Sequence, residues 1–252
     1  MLATLEKHLF VLGHGEGDPG ARGVNKWERD YLEDLAKEMR SLIKQFNLEN
    51  NIFILADRNT YKRNEFATNT AYFKQFKTVT DLHLNAFNGQ ARGAEILYAQ
   101  GLKPDEVDVR FFDFLKDIIG WRRWIESDYY QQTRNAKIYK IPSFRLVEYA
   151  FCDNTRDISV YVKEIKTLAK KSIEAVLGYE LKEPTVEVVK SNVLYRVQTG
   201  AFTVEQNAKD LEKKLNSLGY ATYLIYERDK KLYKVQVGAY AVKDNAIKMA
   251  KE

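Results

Sequence analysis

The chain has 252 residues, with 40 Lys and Arg against 35 Asp and Glu, and its formal net charge of +5 is spread along its length rather than gathered in one block. That balance predicts mild attraction to anionic polymers and does not single out nucleic acid. The single cysteine, Cys152, excludes an intramolecular disulfide and a cysteine-built zinc site, while the N-terminal MLATLEKHLFVLG lacks the features of a signal peptide and no run is long enough to span a membrane.

In chain order, the apolar run His8 to Leu12 predicts a first strand. Trp27, Tyr31, Leu35, Met39, Leu42 and Phe46 then recur at helical spacing and predict a helix over Asn25 to Phe46. A second strand is expected at Ile52 to Ala56, a helix at Arg63 to Phe76, and further strands at Val79 to Leu84 and Ala94 to Ala99. A helix over Asp105 to Ile125, a strand over Phe144 to Cys152 and a helix over Thr155 to Leu177 complete the pattern. This alternation predicts an α/β domain over residues 1–178, with a mixed or mostly parallel central sheet flanked by helices. GYELKEPTVEVVKSN loses the stripe, and residues 179–192 are expected to be a linker.

Beyond the linker, LYRVQTGAFTVEQNA from Leu194 is echoed by LYKVQVGAYAVKDNA from Leu232. Each copy reads as a strand followed by a helix, and Tyr220 to Glu227 reads as a strand between them. Residues 193–252 are therefore expected to form one small α+β, ferredoxin-like domain, since neither half can bury its face alone.

Three groups carry chemistry. Gly15, Gly17 and Gly20 in GHGEGDPGARG satisfy the glycine pattern of a dinucleotide loop. Glu16 and Asp18 would repel a pyrophosphate, however, and Pro19 removes a backbone donor. The same loop holds His14 at a strand end, and His83 in DLHLNAFNG stands near the end of another, where functional groups of open α/β sheets collect. Glu28 lies one turn into the helix that follows the loop. His14, Glu28 and His83 form the two-imidazole, one-carboxylate set of a catalytic zinc site. Read singly, each has an ordinary alternative: a structural histidine at a strand end, or a favourable charge at a helix N-terminus. Glu148 in FRLVEYAFCDN is a carboxylate in an apolar strand, costly to bury unless paired or used. Beside a metal-activated water it would be the proton carrier of amide hydrolysis; its alternative is a strand-edge residue facing water.

The loop GHGEGDPGARG, Glu28, DLHLNAFNGQARGAEILYA and LVEYAFCDN together resemble the zinc-dependent N-acetylmuramoyl-L-alanine amidases over residues 8–177. The resemblance implies one Zn2+ on His14, Glu28 and His83, with Glu148 catalytic. It also implies peptidoglycan as substrate, cut between the lactyl group of N-acetylmuramic acid and L-alanine. Three residues depart from the family's usual pattern: Val11 and Leu12 stand before Gly13-His14 where it often has Asp-Pro, and Asp81 stands where it often has serine. The segment Phe111 to Trp124, with Arg122 and Arg123, has no assigned family counterpart and either packs or lines the substrate groove. YRVQTGAF and YKVQVGAY resemble the half-motifs of a SPOR domain, a peptidoglycan-binding module, which implies glycan contacts from Gln198, Gln236, Phe202 or Tyr240. An RNA-binding fold is disfavoured because neither copy carries its stacking signature, so no nucleic acid is expected. With the chain stopping inside the second helix, the module is expected to lack its last strand or to complete it otherwise. Synthesis in the cytoplasm without an export signal then implies action on the wall after holin release or lysis, as an endolysin or a sporulation autolysin. Alternative readings are a non-catalytic wall-binding protein with a degenerate amidase domain and a zinc peptidase cutting within the stem peptide.

Overall fold

The computed structural model describes residues 6–56, 65–182 and 194–251. Arg63 and Asn64 of the expected second helix, and residues 183–192 of the expected linker, lie outside them. The chain divides into two compact units, Met1–Glu183 and Pro184–Glu252.

The first unit is built on a six-stranded sheet of β1 (His8–Leu12), β2 (Ile52–Leu55), β3 (Thr78–Asn85), β4 (Ala94–Tyr98), β5 (Trp121–Glu126) and β6 (Phe144–Phe151), in the order β2-β1-β3-β6-β4-β5. β2, β1, β3 and β6 are mutually parallel; β4 runs antiparallel to β6, and β5 runs parallel to β4. Every residue of β1 is buried, because helices cover both faces of the sheet, and this is why its sequence is a continuous apolar run rather than an alternation. On one face, Leu32, Leu35, Ala36 and Met39 of α1 (Glu28–Gln45) pack with Phe111 and Leu115 of α4 (Glu106–Ile118) and with Leu168 and Ile173 of α7 (Ile165–Leu177). Burying each of these larger side chains contributes about 1.5–3 kcal/mol. The other face is covered by Phe66 of α2 (Glu65–Thr68), Phe73 of α3 (Thr70–Phe73) and Ala136 of α5 (Gln131–Ile138), over Leu9, Val11 and Val79.

Several expected elements are corrected. The helix expected over Asp105 to Ile125 ends at Ile118, because Gly120 takes φ +101°, and Trp121–Glu126 continues as β5. The first helix begins at Glu28 rather than Asn25, since Gly23 N–H bonds to the Lys26 carbonyl in a turn and Trp27 is the extended N-cap. Within the described part of Arg63 to Phe76, Asn69 divides two short helices. The last helix breaks at Glu164 into α6 (Thr155–Lys163) and α7. α5 has no counterpart among the expected elements, its apolar stripe being short. The aromatic segment Phe111 to Trp124 packs: Phe111 and Phe114 are buried, and Phe112, Trp121 and Trp124 cluster with ring centroids 4.7–5.6 Å apart.

At the start of β1, His8 is buried with Nδ1 2.9 Å from Thr78 Oγ1, and burial pushes its imidazole down to about 4 from the usual 6.5. Between those two values the unfolded chain takes up a proton that the folded chain excludes, so stability falls as pH drops through this window. His8→Gln is expected to remove about 2–3 kcal/mol of the difference in unfolding free energy between pH 7 and pH 4, read by urea denaturation at the two pH values. An unchanged pH dependence in the variant would refute the assignment.

The second unit has β7 (Tyr195–Phe202), α8 (Glu205–Ser217), β8 (Thr222–Glu227), β9 (Leu232–Tyr240) and α9 (Lys243–Met249), with an antiparallel sheet in the order β7-β9-β8. Val235 and Val237 are buried, whereas Gln198, Gln236 and Tyr223 are aligned across the three strands on the opposite face. A Cβ at Gly200 would lie 2.6 Å from the Phe202 ring and 2.8 Å from Leu211, so Phe202 packs on the α8 side and not in the row with Gln198. The repeated Gly-Ala-aromatic has a steric cause, since the Tyr240 ring likewise occupies the space a Cβ at Gly238 would need.

Candidate metal centre and active site

β1 and β3 are parallel neighbours, so the loop after β1 and the end of β3 open at the same edge of the sheet. His14 stands in that loop and His83 near the end of β3, their ring centroids 5.1 Å apart and nearly perpendicular. Glu28, the first residue of α1, reaches both: Oε2 is 3.0 Å from His14 Nε2, and Oε1 is 3.2 Å from His83 Nδ1. Its carboxylate also accepts from Ala21 N–H at 3.1 Å and from Leu84 N–H at 3.0 Å, which fixes both oxygens in place. Burial raises the pKa of this carboxyl, but the hydrogen bonds and charges of His14 and His83 outweigh it and hold the group well below the usual carboxylate range. Burial lowers the pKa of His83, while Asp81 first, then Glu28 and Glu148, hold its imidazole well above the usual value.

Two glycines make room for this cluster. A Cβ at Gly13 would lie 2.0–2.5 Å from ring atoms of His83, and at Gly20, whose φ is +75°, it would lie 2.7–2.8 Å from Glu28 and His14. Gly13 and Gly20 thus serve close packing around the histidines. Asp18 caps the turn by accepting from Gly20 N–H at 3.0 Å, and its other oxygen lies 3.1 Å from His14 Nδ1.

Donor atoms of His14, Glu28 and His83 all lie within 4.8 Å of one another. Two imidazole nitrogens and a carboxylate drawn from a loop, a helix and a strand are a donor set that fits a divalent cation, and Glu28 and His83 are both buried beneath the surface.

Glu148 is the register partner of His83 on β6 and faces the same cavity of about 640 Å³, which His14, Glu28, His83, Tyr129, Tyr130 and Arg134 also line. Its Oε2 is buried and has no hydrogen-bond partner among the described residues. Burial pushes its carboxyl up to about 8; His83 opposes the shift, and the negative charges of Glu28, Glu95 and Asp81 add to it.

The sequence did not single out Glu95, which lies opposite Glu148 on β4 and is completely buried. Its Oε1 accepts from Arg123 Nε at 2.8 Å and pairs with Arg122 Nε at 2.9 Å, and Oε2 accepts from Asn85 Nδ2 at 2.7 Å. The register slips by one residue between Ala94–Trp121 and Glu95–Arg123, and this bulge lets two successive arginines reach one carboxylate. Tyr129, Tyr130 and Arg134 were missed as well, because α5 and the loop before it carry no periodic signal. The Arg-Arg pair beside an apolar strand holding a glutamate was the one available hint.

Residues 10–177 match the N-acetylmuramoyl-L-alanine amidase family, and residues 191–252 match the SPOR domain. The protein named Probable autolysin PH from Staphylococcus aureus is 24% identical over 235 residues, which are 79% of this chain and 48% of that protein. The chain thus spans about half the length of this curated relative. Among solved structures, the catalytic domain of the CD27L endolysin targeting Clostridia difficile is 25% identical with a TM-score of 0.54, covering 70% of this chain and 99% of that one. The catalytic domain of CwlV, an N-acetylmuramoyl-L-alanine amidase from Bacillus (Paenibacillus) polymyxa, shares the fold at 14% identity and a TM-score of 0.54, covering 68% and 97% of the two chains. With two thirds of its length matched by the family model, the chain belongs to the N-acetylmuramoyl-L-alanine amidase family and carries a C-terminal SPOR domain.

Proposed function

We propose that this protein hydrolyses bacterial peptidoglycan at the amide between the lactyl group of N-acetylmuramic acid and the L-alanine of the stem peptide, with one Zn2+ held by His14, Glu28 and His83. The observation that carries the reading is the convergence of those three side chains on the cavity into which Glu148 also faces. When bound, zinc supplies Lewis-acid activation of a water molecule and of the scissile carbonyl. Glu148 takes the proton from the attacking water at its unpartnered Oε2 and returns it to the leaving nitrogen. Glu95, on the strand beside Glu148, is held by Arg122, Arg123 and Asn85. Tyr129, Tyr130 and Arg134 border the cavity and orient the glycopeptide. In the second unit, the row of Gln198, Tyr223 and Gln236 contacts glycan strands. No helix among the described residues is long and apolar enough to cross a membrane. We place the protein's work at the wall, after synthesis in the cytoplasm and release by a holin or by lysis, the setting suggested by its likeness to an endolysin and an autolysin.

The test is mass spectrometry of fragments released from purified peptidoglycan. The expected products are glycans with free lactyl carboxyls and intact stem peptides beginning with a free L-alanine amine. Release should stop on chelation and return with zinc. Cuts inside the stem peptide would replace this reading with a zinc peptidase, and binding without release would leave a wall-binding protein.

A further inference from the structure

Asp81 is completely buried on β3, between its register partners Val11 on β1 and Leu146 on β6. Neither of its carboxylate oxygens has a hydrogen-bond partner among the described residues. A bare carboxylate between two aliphatic side chains costs several kcal/mol unless an opposite charge or a donor faces it. The group that faces it is the ring of His83, two residues on and so on the same side of the strand: Nε2 lies 3.4 Å from Asp81 Oδ1 and is itself buried without a hydrogen-bond partner among the described residues. The other ring nitrogen, Nδ1, points to Glu28 and the metal cluster. Against Gly13 the ring lies so close that no side chain fits there. His14 is arranged alike, with Nε2 toward Glu28 and Nδ1 3.1 Å from Asp18.

We propose that Asp81 is a positioning residue that holds the His83 proton on Nε2, so that Nδ1 presents its lone pair to the metal. The inference rests on the zinc reading above. An imidazole that gives one nitrogen to a metal must carry its proton on the other, and a carboxylate facing that proton fixes the tautomer and raises the basicity of the ligating nitrogen. Asp81 thereby sets how tightly the site holds its ion, without touching substrate.

Zinc affinity, measured by competition with a chromogenic chelator, and the protonation of His83, read from 15N-edited NMR of the zinc-loaded protein, test this on the full chain. In the parent, the expected result is about one zinc per chain and a proton on Nε2 of His83. Asp81→Ala, which removes the acceptor, is expected to weaken zinc binding about 10- to 100-fold, and Asp81→Asn, which keeps a neutral acceptor, to weaken it less. Parental affinity in a folded variant, or an unprotonated Nε2 in the zinc-loaded parent, would overturn the role of Asp81 and leave the zinc reading standing. The second of these needs no variant to fold. A parent that binds no zinc would instead remove the zinc reading, and the role of Asp81 with it.

Discussion

Replacing Glu148 by glutamine is expected to lower kcat for peptidoglycan hydrolysis by about 10²- to 10⁴-fold, the usual worth of a positioned proton carrier, while zinc content stays at the parental level. The amide keeps the shape of the side chain and cannot accept the proton of the attacking water. Burial raises the pKa of the Glu148 carboxyl most, and three other carboxylates, Glu28, Glu95 and Asp81, add to it electrostatically. A neutral side chain at this position relieves that crowding, so the variant should unfold at the parental temperature or above it. Loss of activity together with a raised or unchanged Tm is a pattern that general misfolding would not produce. Parental turnover in E148Q, with the metal in place, would show that another group carries the proton.

Replacing Arg145 by leucine is expected to destabilise the first unit by about 3–5 kcal/mol. Arg145 is fully buried at the start of β6, at the opposite end of the strand from the metal cluster. Its Nε donates to Asp108 Oδ1 at 2.6 Å, Nη1 to Thr80 Oγ1 at 3.2 Å, and Nη2 to Asp105 Oδ2 at 3.0 Å and Ser143 Oγ at 2.6 Å. Asp105 and Asp108 are also the two halves of the capping box that starts α4, so one guanidinium ties a helix N-terminus to two strands. Removing it leaves the buried Asp108 carboxylate without its counter-charge, which is the costly way to break a buried pair. At about 2–4 °C per kcal/mol for a domain of this size, Tm should fall by roughly 10 °C. Turnover well below the new Tm should stay near the parental value, because none of these groups lines the catalytic cavity. A shift under about 2 °C would mean that water replaces the lost donors.

Much of the candidate site could be read from residue order. His14 and His83 follow or end apolar runs, Glu28 begins the first amphipathic helix, and Glu148 interrupts an apolar strand, so each carries a local signal that needs no partner to be noticed. Those signals led to the expectation that the four side chains gather only when joined to the family resemblance, and the structure brings them to one cavity. Glu95 and Arg145 carried no such signal, and Arg122 and Arg123 stood out only as a pair, because the significance of all four lies in pairing across strands. The arginines had been placed in a helix that Gly120 ends, and only the bulge between β4 and β5 turns both toward Glu95. Arg145 read as one charge in a strand until Asp105 and Asp108 folded against it.

By itself, then, the order of residues determined what depends on periodicity and local chemistry: the α/β alternation, the break before the repeated tail, the repeat itself and the residue types of the site. Tertiary structure decided which buried charges meet. It set Glu95 between two arginines, left Glu148 Oε2 without a partner among the described residues and put Asp81 behind His83. The physical reason is that hydrophobic periodicity is written along the chain, whereas the field at a buried carboxylate is a sum over neighbours that only register and packing bring near.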